Sequence, residues 1–247
     1  MKKLILPFLL LVLVSCSKED PEPAVVIDSP TLELKFDKEH QFVVKKGAET
    51  IDASTVTWKS SDELVGTVNA SGLFKGRKIG ETIITGKSSD GKIDLQSKVT
   101  ITPYYTTCAE PVTEWGASIA TIKSKEKRTL FNETAAGAAF TGENAKMRMA
   151  IYLLEAGKLV SSGLSFTPTN EVGTELGVFF SERYPEFEVG DDQLFFVSDS
   201  KAYGILIGID ETLGIFALYS PLDAGGRKME GAKKNDLAAM KKFLAGK

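Results

Sequence analysis

The spacing of apolar residues divides the chain into two parts. Residues 31–103 carry short runs in which apolar and polar positions alternate, as at Leu32, Leu34 and Phe36, and turn-forming residues separate these runs. Alternation places the apolar side chains on one face of a strand. The pattern therefore predicts an all-β domain over residues 31–103.

Residues 104–247 mix helical and strand spacing, which predicts an α+β domain. Three segments with helical spacing are predicted as helices, the second capped by Asn170: Ser118–Lys127, Glu171–Tyr184 and Asn235–Leu244. Five runs are predicted as strands: Met147–Leu154, Lys158–Phe166, Gln193–Ser198, Tyr203–Ile209 and Leu213–Tyr219. The segment 130–140 is rich in small residues and stays open between helix and strand. The simplest arrangement is an antiparallel sheet with helices on one side.

Four blocks of the first domain carry a resemblance to a known family. They are Trp58-Lys59-Ser60-Ser61, Val65-Gly66-Thr67-Val68, Gly72-Leu73-Phe74-Lys75-Gly76 and Gly80-Glu81-Thr82-Ile83-Ile84. In this order they resemble the group 2 bacterial immunoglobulin-like domain, whose pattern reads Trp-x-Ser-Ser, Val-x-Thr-Val, Gly-Leu-Val-x-Gly and Gly-x-Thr-x-Ile. Gly66 departs from the pattern, because the family usually has Ala there, and a smaller side chain is implied. The resemblance implies an immunoglobulin-like β-sandwich that acts as a spacer or adhesion module without catalytic residues.

Trp58 has two interpretations within such a sandwich. The preferred one makes it a core residue, because a large aromatic side chain in this fold packs between the sheets. The alternative makes it a stacking platform for a sugar.

The first residues of the chain resemble the export signal of a bacterial lipoprotein. Lys2 and Lys3 precede an apolar segment, Leu4 to Val14, that is too short to span a bilayer stably, and Ser15 precedes Cys16. The resemblance to the lipobox implies a signal peptide over residues 1–15 and a lipid on Cys16. An ordinary secretory signal with an incidental cysteine is the alternative.

The residues after Cys16 refine the expected location. Ser17-Lys18-Glu19-Asp20 resembles the acidic surface-export tag of outer-membrane lipoproteins, and three prolines between residues 21 and 30 favour an extended tether. We therefore expect residues 16–30 to form a lipid anchor and tether. The expected location is the outer membrane, with the protein exposed at the cell surface.

Charge and cysteine content exclude several function classes. The 30 lysines and arginines are outnumbered by 33 aspartates and glutamates, so there is no basic surplus for nucleic acid or anionic lipid. Membrane contact is expected only through the lipid on Cys16. Because that lipid uses one of the two cysteines, Cys108 remains alone and no intramolecular disulfide is predicted.

The residue inventory offers few candidates for catalysis. His40 is the single histidine, so a nucleophile–histidine pair would have to bridge the domains, and a Cys/His zinc site lacks ligands. Cys108 is interpreted as a buried apolar residue, with a reactive thiol as the alternative. No cofactor, metal site or catalytic residue is predicted.

Two clusters keep alternative functions open. Five carboxylates near the end of the second predicted helix could serve a hydrolase or a calcium site, although solvated charge is the simpler interpretation: Glu182, Glu186, Glu188, Asp191 and Asp192. Four aromatic residues could form a glycan-binding surface, although core and junction packing explain them equally well: Tyr104, Tyr105, Trp115 and Tyr184.

The second domain carries a resemblance of its own. Trp115-Gly116-Ala117-Ser118, Gly157-Lys158-Leu159 and the segment 179–184 resemble a module that follows this immunoglobulin-like domain in bacterial surface lipoproteins of unknown activity. The combined interpretation is a non-enzymatic outer-membrane lipoprotein that presents a recognition or structural module to a protein or glycan partner. A glycan-binding protein and a carboxylate-dependent hydrolase are the alternatives, and the ligand-binding residues stay unknown.

Overall fold

The structure is a computed structural model that describes residues 22–190, 193–222 and 230–245, with the side chains of the last helix from residue 235 onward. The segment predicted as a signal peptide, the predicted lipidation site Cys16 and the acidic segment 17–20 lie outside the described residues. Within these ranges an all-β domain is followed by a domain with one large sheet and three helices.

The first domain contains ten strands in three sheets, which confirms the all-β prediction. The strands are β1 (Val25–Ile27), β2 (Thr31–Lys35), β3 (Glu39–Gln41), β4 (Val44–Lys46), β5 (Glu49–Ile51), β6 (Thr57–Ser60), β7 (Gly66–Val68), β8 (Leu73–Gly76), β9 (Gly80–Lys87) and β10 (Asp94–Thr102). The strand orders are β2-β10-β9-β6, β3-β8-β7 and β1-β4-β5. β2 and β10 run parallel, with Thr31 opposite Lys98 and Lys35 opposite Thr102.

The first strand corrects the predicted boundary of the tether. β1 pairs antiparallel with β4, and Ile27 is buried in the core. Pairing with β4 buries apolar surface of Val25–Ile27 that would stay exposed to water in an extended tether. Residues 25–30, which the prolines of the sequence place in a tether over residues 16–30, therefore begin the first domain.

A close approach between β7 and β8 explains why residue 66 is glycine. A Cβ atom built on Gly66 would lie 2.3 Å from Cζ of Phe74, whose ring is fully buried. Phe74 stands where the group 2 pattern has the smaller Val. The larger ring of Phe74 fills the space that an Ala side chain at position 66 would need. The smaller residue at position 66 and the larger residue at position 74 therefore compensate each other in volume.

We expect Gly66→Ala to destabilise the first domain by about 1 to 3 kcal/mol, because the added methyl group overpacks the core against Phe74. Adding Phe74→Val to the same chain should recover part of this loss, whereas Phe74→Val alone leaves a cavity. A double-mutant cycle of denaturant unfolding should show a coupling on the order of 1 kcal/mol. If the effects of the two substitutions on the free energy of unfolding were strictly additive, residues 66 and 74 would not compensate each other in volume.

The second domain is built on one eight-stranded antiparallel sheet. Its elements are α1 (Ile119–Lys125), β11 (Leu130–Thr134), β12 (Gly137–Thr141), β13 (Met147–Glu155), β14 (Lys158–Phe166), α2 (Asn170–Ser181), β15 (Glu186–Val189), β16 (Leu194–Val197), β17 (Tyr203–Asp210), β18 (Gly214–Pro221) and α3 (Glu230–Leu244). The strand order is β11-β12-β13-β14-β18-β17-β16-β15. From β14 the chain crosses the sheet through α2 to the far edge at β15 and returns strand by strand to β18.

Helices cover both faces of this sheet, so the predicted one-sided arrangement is wrong. Tyr152 of β13 lies in the core cluster that includes side chains of α1 and α2. Its neighbours Ile151 and Leu153 lie in a second cluster with Met240 and Phe243 of α3. Successive residues of a strand point to opposite faces. The unbroken apolar run of β13 is typical of a strand that is buried on both sides.

Most predicted elements of this domain are present with shifted ends. Thr169, and not Asn170, caps α2, because its hydroxyl accepts the N–H of Val172 at 3.2 Å. The segment 130–140, left open by its sequence, forms the hairpin of β11 and β12. β15 was not predicted, since it follows Pro185 directly and alternates glutamates with apolar residues at the sheet edge.

Candidate functional site at the domain junction

The C-terminal end of α2 lies where the two domains meet. Glu182, the residue after the helix, is completely buried. Its carboxylate accepts the backbone N–H of Tyr104 at 2.7 Å and that of Tyr105 at 3.3 Å. Its carbonyl accepts the N–H of Ile79, in the first domain, at 2.7 Å. We call residues 103–105 the interdomain linker. One residue of the second domain, Glu182, therefore holds both this linker and a loop of the first domain.

Arg183 neutralises the buried charge of Glu182. Its Nη1 donates to Glu182 Oε1 at 2.7 Å and to the carbonyl of Phe179 at 2.8 Å, and its Nη2 donates to the carbonyl of Tyr105 at 3.2 Å. The guanidinium also lies over the ring of Phe179, 3.6 Å from its centroid. A buried carboxylate is tolerated only when it is paired and hydrogen-bonded in this way.

Side chains of the first domain reach the linker and the second domain. Lys35 Nζ donates to the carbonyl of Pro103 at 2.7 Å. Lys78 forms an ion pair with Asp199 of the second domain. Together with the Glu182 contacts, these bonds fix the orientation of one domain relative to the other.

A cleft with a volume of about 430 Å³ opens beside this junction. Its lining residues come from both domains: Lys78, Ile79, Glu110, Arg183, Tyr184, Ser198, Asp199, Ser200 and Tyr203. The hydroxyl of Tyr184 donates to Glu110 and lies 3.3 Å from the hydroxyl of Tyr203. Burial raises the pKa of Glu110, and burial also raises the pKa of Tyr203.

Charges in the cleft are arranged as opposite pairs. Lys78 lies against Asp199, and Arg183 Nε lies 3.7 Å from Glu110. The cleft therefore offers hydroxyl, ammonium and carboxylate groups as hydrogen-bond partners, and Arg183 is shared between Glu110 and the buried Glu182.

The four predicted aromatic residues do not form one exposed surface. Tyr104 and Tyr105 are exposed at the linker, by 41% and 36%, whereas Tyr184 is buried and Trp115 packs against the core of the second domain. Of the four, only Tyr184 lines the cleft, together with Tyr203, whose ring meets Trp115 edge-on at 6.1 Å between ring centroids. Sequence spacing missed Tyr203 because it reads as the first residue of an ordinary strand.

The predicted carboxylates are also separated by the structure. Glu182 is part of the junction, Glu186 forms an ion pair with Lys201 at 3.4 Å, and Glu188 is exposed on β15. Asp191 and Asp192 lie outside the described residues. Among the residues that are described, no three His, Cys, Asp or Glu side chains come together in a group able to hold a metal ion.

Trp58 packs in the core of the first domain, with 8% of its surface exposed. Its ring stacks on Phe42 with 5.6 Å between centroids, and its Nε1 donates to the carbonyl of Ala53 at 2.9 Å. This position matches the core interpretation, because the indole is buried and its ring and its polar edge both have partners within the protein.

The remaining sequence candidates, His40 and Cys108, are packed against other residues of the protein. His40 Nε2 lies 3.3 Å from Asp28 and its ring meets Phe42 edge-on at 4.9 Å. Burial raises the pKa of Cys108 to about 12, which outweighs the opposing effect of Arg128. The thiol therefore stays protonated near neutral pH, as expected for a buried apolar residue.

Comparison with known proteins identifies the first domain. Residues 23–100 match the bacterial Ig-like domain (group 2) family. The first domain is a group 2 bacterial Ig-like domain. This confirms the family predicted from the four sequence blocks, and the match begins before β1, as the corrected boundary requires. The Ig-like domain covers about a third of the chain, so the family does not describe the second domain.

Two solved structures have a distant likeness to most of this chain. Both are structures of the surface layer protein SbsC, one of domains 1–6 and one of domains 4–9. They are 13% and 14% identical over 81% and 84% of this chain, with TM-scores of 0.27 and 0.28. The chain spans 21% and 28% of their lengths. No curated protein matches the chain. In the described part of the chain, no helix has the length and apolar character needed to cross a bilayer.

Proposed function

We propose that this protein is a non-enzymatic, lipid-anchored protein of the cell surface, in which the Ig-like domain holds the α+β domain outward in a fixed orientation. The observation that carries the proposal is the buried junction at Glu182, which ties the linker and both domains together. A flexible linker would let the outer domain turn freely. A fixed junction suits a spacer that presents one particular surface to a partner.

The anchor in this proposal is the lipid on Cys16. The sequence Leu13-Val14-Ser15-Cys16 after an apolar segment supports it, and the acidic residues that follow support export to the outer membrane surface. Two or more acyl chains hold a protein stably, because each buried methylene contributes about 0.8 kcal/mol. The tether before β1 then separates the Ig-like domain from the lipid.

Cys16→Ala is expected to release the protein from the membrane, because the lipid is its only proposed membrane contact. Detergent-phase partitioning of cell extracts should move the variant into the aqueous phase, and labelling with a palmitate analogue should disappear. Cys108→Ala is the matched control and should keep both the label and the detergent-phase fraction. A Cys16→Ala protein that stays quantitatively in the detergent phase would rule out this anchor.

Surface exposure is tested by protease treatment of intact cells. The proposal expects the Ig-like and outer domains to be removed from intact cells as readily as from lysed cells. Protection in intact cells and digestion after lysis would place the protein on the inner side of the outer membrane and overturn the surface assignment.

Saccharide binding in the junction cleft is a second candidate function. The cleft favours it because paired charged groups and tyrosine hydroxyls suit a polar, uncharged ligand. A glycan array probed with the full chain tests it, with Asp199→Ala as the variant and the exposed Asp94→Ala as its control. Binding that is lost only in Asp199→Ala would support this candidate, whereas no binding to any glycan would dismiss it.

A further inference from the structure

β15 forms an open edge of the eight-stranded sheet. Within the described residues this strand pairs only with β16, and all four of its residues are exposed. An edge strand of this kind presents unpaired backbone N–H and C=O groups that can accept a further strand. The sheet can therefore be extended at β15 by a strand from outside the domain.

The α2 side of this edge is apolar and open to solvent. Phe187 and Val189 are exposed by 49% and 71%, and Ile209 of the nearby β17 is exposed by 75%. Val189 and Ile209 border a groove of about 290 Å³ whose floor includes Leu194 and Ile207. Adjacent exposed apolar residues of this kind mark an interaction surface.

The other side of the same strand is acidic. Glu186 and Glu188 alternate with Phe187 and Val189, so their carboxylates lie on the opposite face of the sheet. Glu186 has Lys201 as an exposed partner, and no lysine or arginine in the described ranges forms an ion pair with Glu188. A strand beside β15 would therefore meet apolar side chains on one face and negative charge on the other.

We propose that β15 binds an extended segment of a partner protein in which apolar and basic residues alternate, added to the sheet as a ninth strand. Its backbone would bond to β15, its apolar side chains would cover Phe187 and Val189, and its lysines or arginines would lie beside Glu186 and Glu188. This binding site would be the surface that the Ig-like domain presents to a partner, so its biological role rests on the proposed function.

Charge argues against a second copy of this chain as the occupant. Pairing of β15 with β15 of another molecule would bring glutamates next to glutamates across the new strand pair, and like charges in that position are destabilising. The acidic face thus disfavours self-association while it attracts a basic partner.

Two labelled peptides test the proposal on the full chain in detergent micelles. Thr-Val-Lys-Val-Lys-Val-Thr should bind, as measured by fluorescence anisotropy, and Thr-Val-Glu-Val-Glu-Val-Thr should bind at least about tenfold more weakly. Glu188→Lys should lower the affinity for the lysine peptide by about tenfold. Phe131→Lys, at an exposed position on the opposite edge strand β11, is the matched control and should change nothing.

Hydrogen exchange locates the bound peptide. The lysine peptide should protect the amides of residues 186–189, and protection of β11 instead would overturn the proposal. Equal affinity for both peptides, or no affinity for the lysine peptide, would also overturn it. A dimer in sedimentation that Val189→Lys abolishes would assign the edge to a second copy. None of these results depends on lipid attachment or on the Glu182 junction, so a failure here leaves the proposed function standing.

Discussion

Trp58→Ala is expected to unfold the Ig-like domain while the second domain stays folded. Removing this buried indole costs about 3 to 5 kcal/mol, because apolar surface is lost and a cavity remains beside Phe42. A small domain has only about 5 to 15 kcal/mol of stability in total. Calorimetry of the full chain should show the transition of the first domain lost or strongly lowered and the other retained.

The conservative variant Trp58→Phe separates packing from ligand stacking. Phe keeps much of the ring volume, so the loss of stability should be smaller than for Trp58→Ala, although the hydrogen bond to the carbonyl of Ala53 disappears. If Trp58→Ala left the unfolding temperature unchanged and removed binding to a glycan, Trp58 would be a sugar platform and the spacer role of this domain would fail.

Glu182→Ala is expected to loosen the junction and destabilise the second domain by about 3 kcal/mol, because Arg183 and the linker N–H groups lose a buried partner. For a domain of this size that loss lowers the unfolding temperature by about 6 to 12 °C. Limited proteolysis should then cut the linker near Tyr104 and Tyr105. Calorimetry and digestion of the full chain measure both effects.

Glu186→Ala is the matched control for this substitution. Glu186 lies a few residues further along, is exposed, and should change stability by less than about 0.5 kcal/mol. Equal effects of the two substitutions, or a Glu182→Ala linker as resistant to protease as the wild type, would argue against the junction as the element that fixes the domains.

Local patterns were sufficient to predict much of this fold. Alternation at Leu32 and Leu34 predicted β2, and the four blocks around Trp58 predicted the Ig-like domain before any comparison. The apolar runs Met147–Leu154 and Lys158–Phe166 predicted β13 and β14, and between them Ala156 and Gly157 adopt the positive φ values that a two-residue hairpin turn needs. These features depend on residues close together in the chain.

Features that depend on distant contacts were not predictable in the same way. Glu182 looked like one of several solvated carboxylates, because its partners at Tyr104 and Tyr105 lie 78 and 77 residues earlier in the chain. The position of α3 on the second face of the sheet likewise depends on contacts of Met240 with β14, where a Cβ on Gly163 would collide with it. Periodicity reports which face of an element is apolar but not which neighbour covers that face.

The parallel pairing of β2 with β10 gives the Ig-like domain a mechanical property. The chain enters the pair near Thr31 and leaves it at Thr102, at the opposite end of the two strands. Once the short strand β1 has separated from β4, tension between the proposed membrane anchor and a second domain held by a partner would pull β2 and β10 in opposite directions along their length. All hydrogen bonds of the ladder would then carry the load together in shear, instead of opening one after another. If the protein is anchored as proposed, the Ig-like domain would transmit force from the second domain to the lipid before it unfolds.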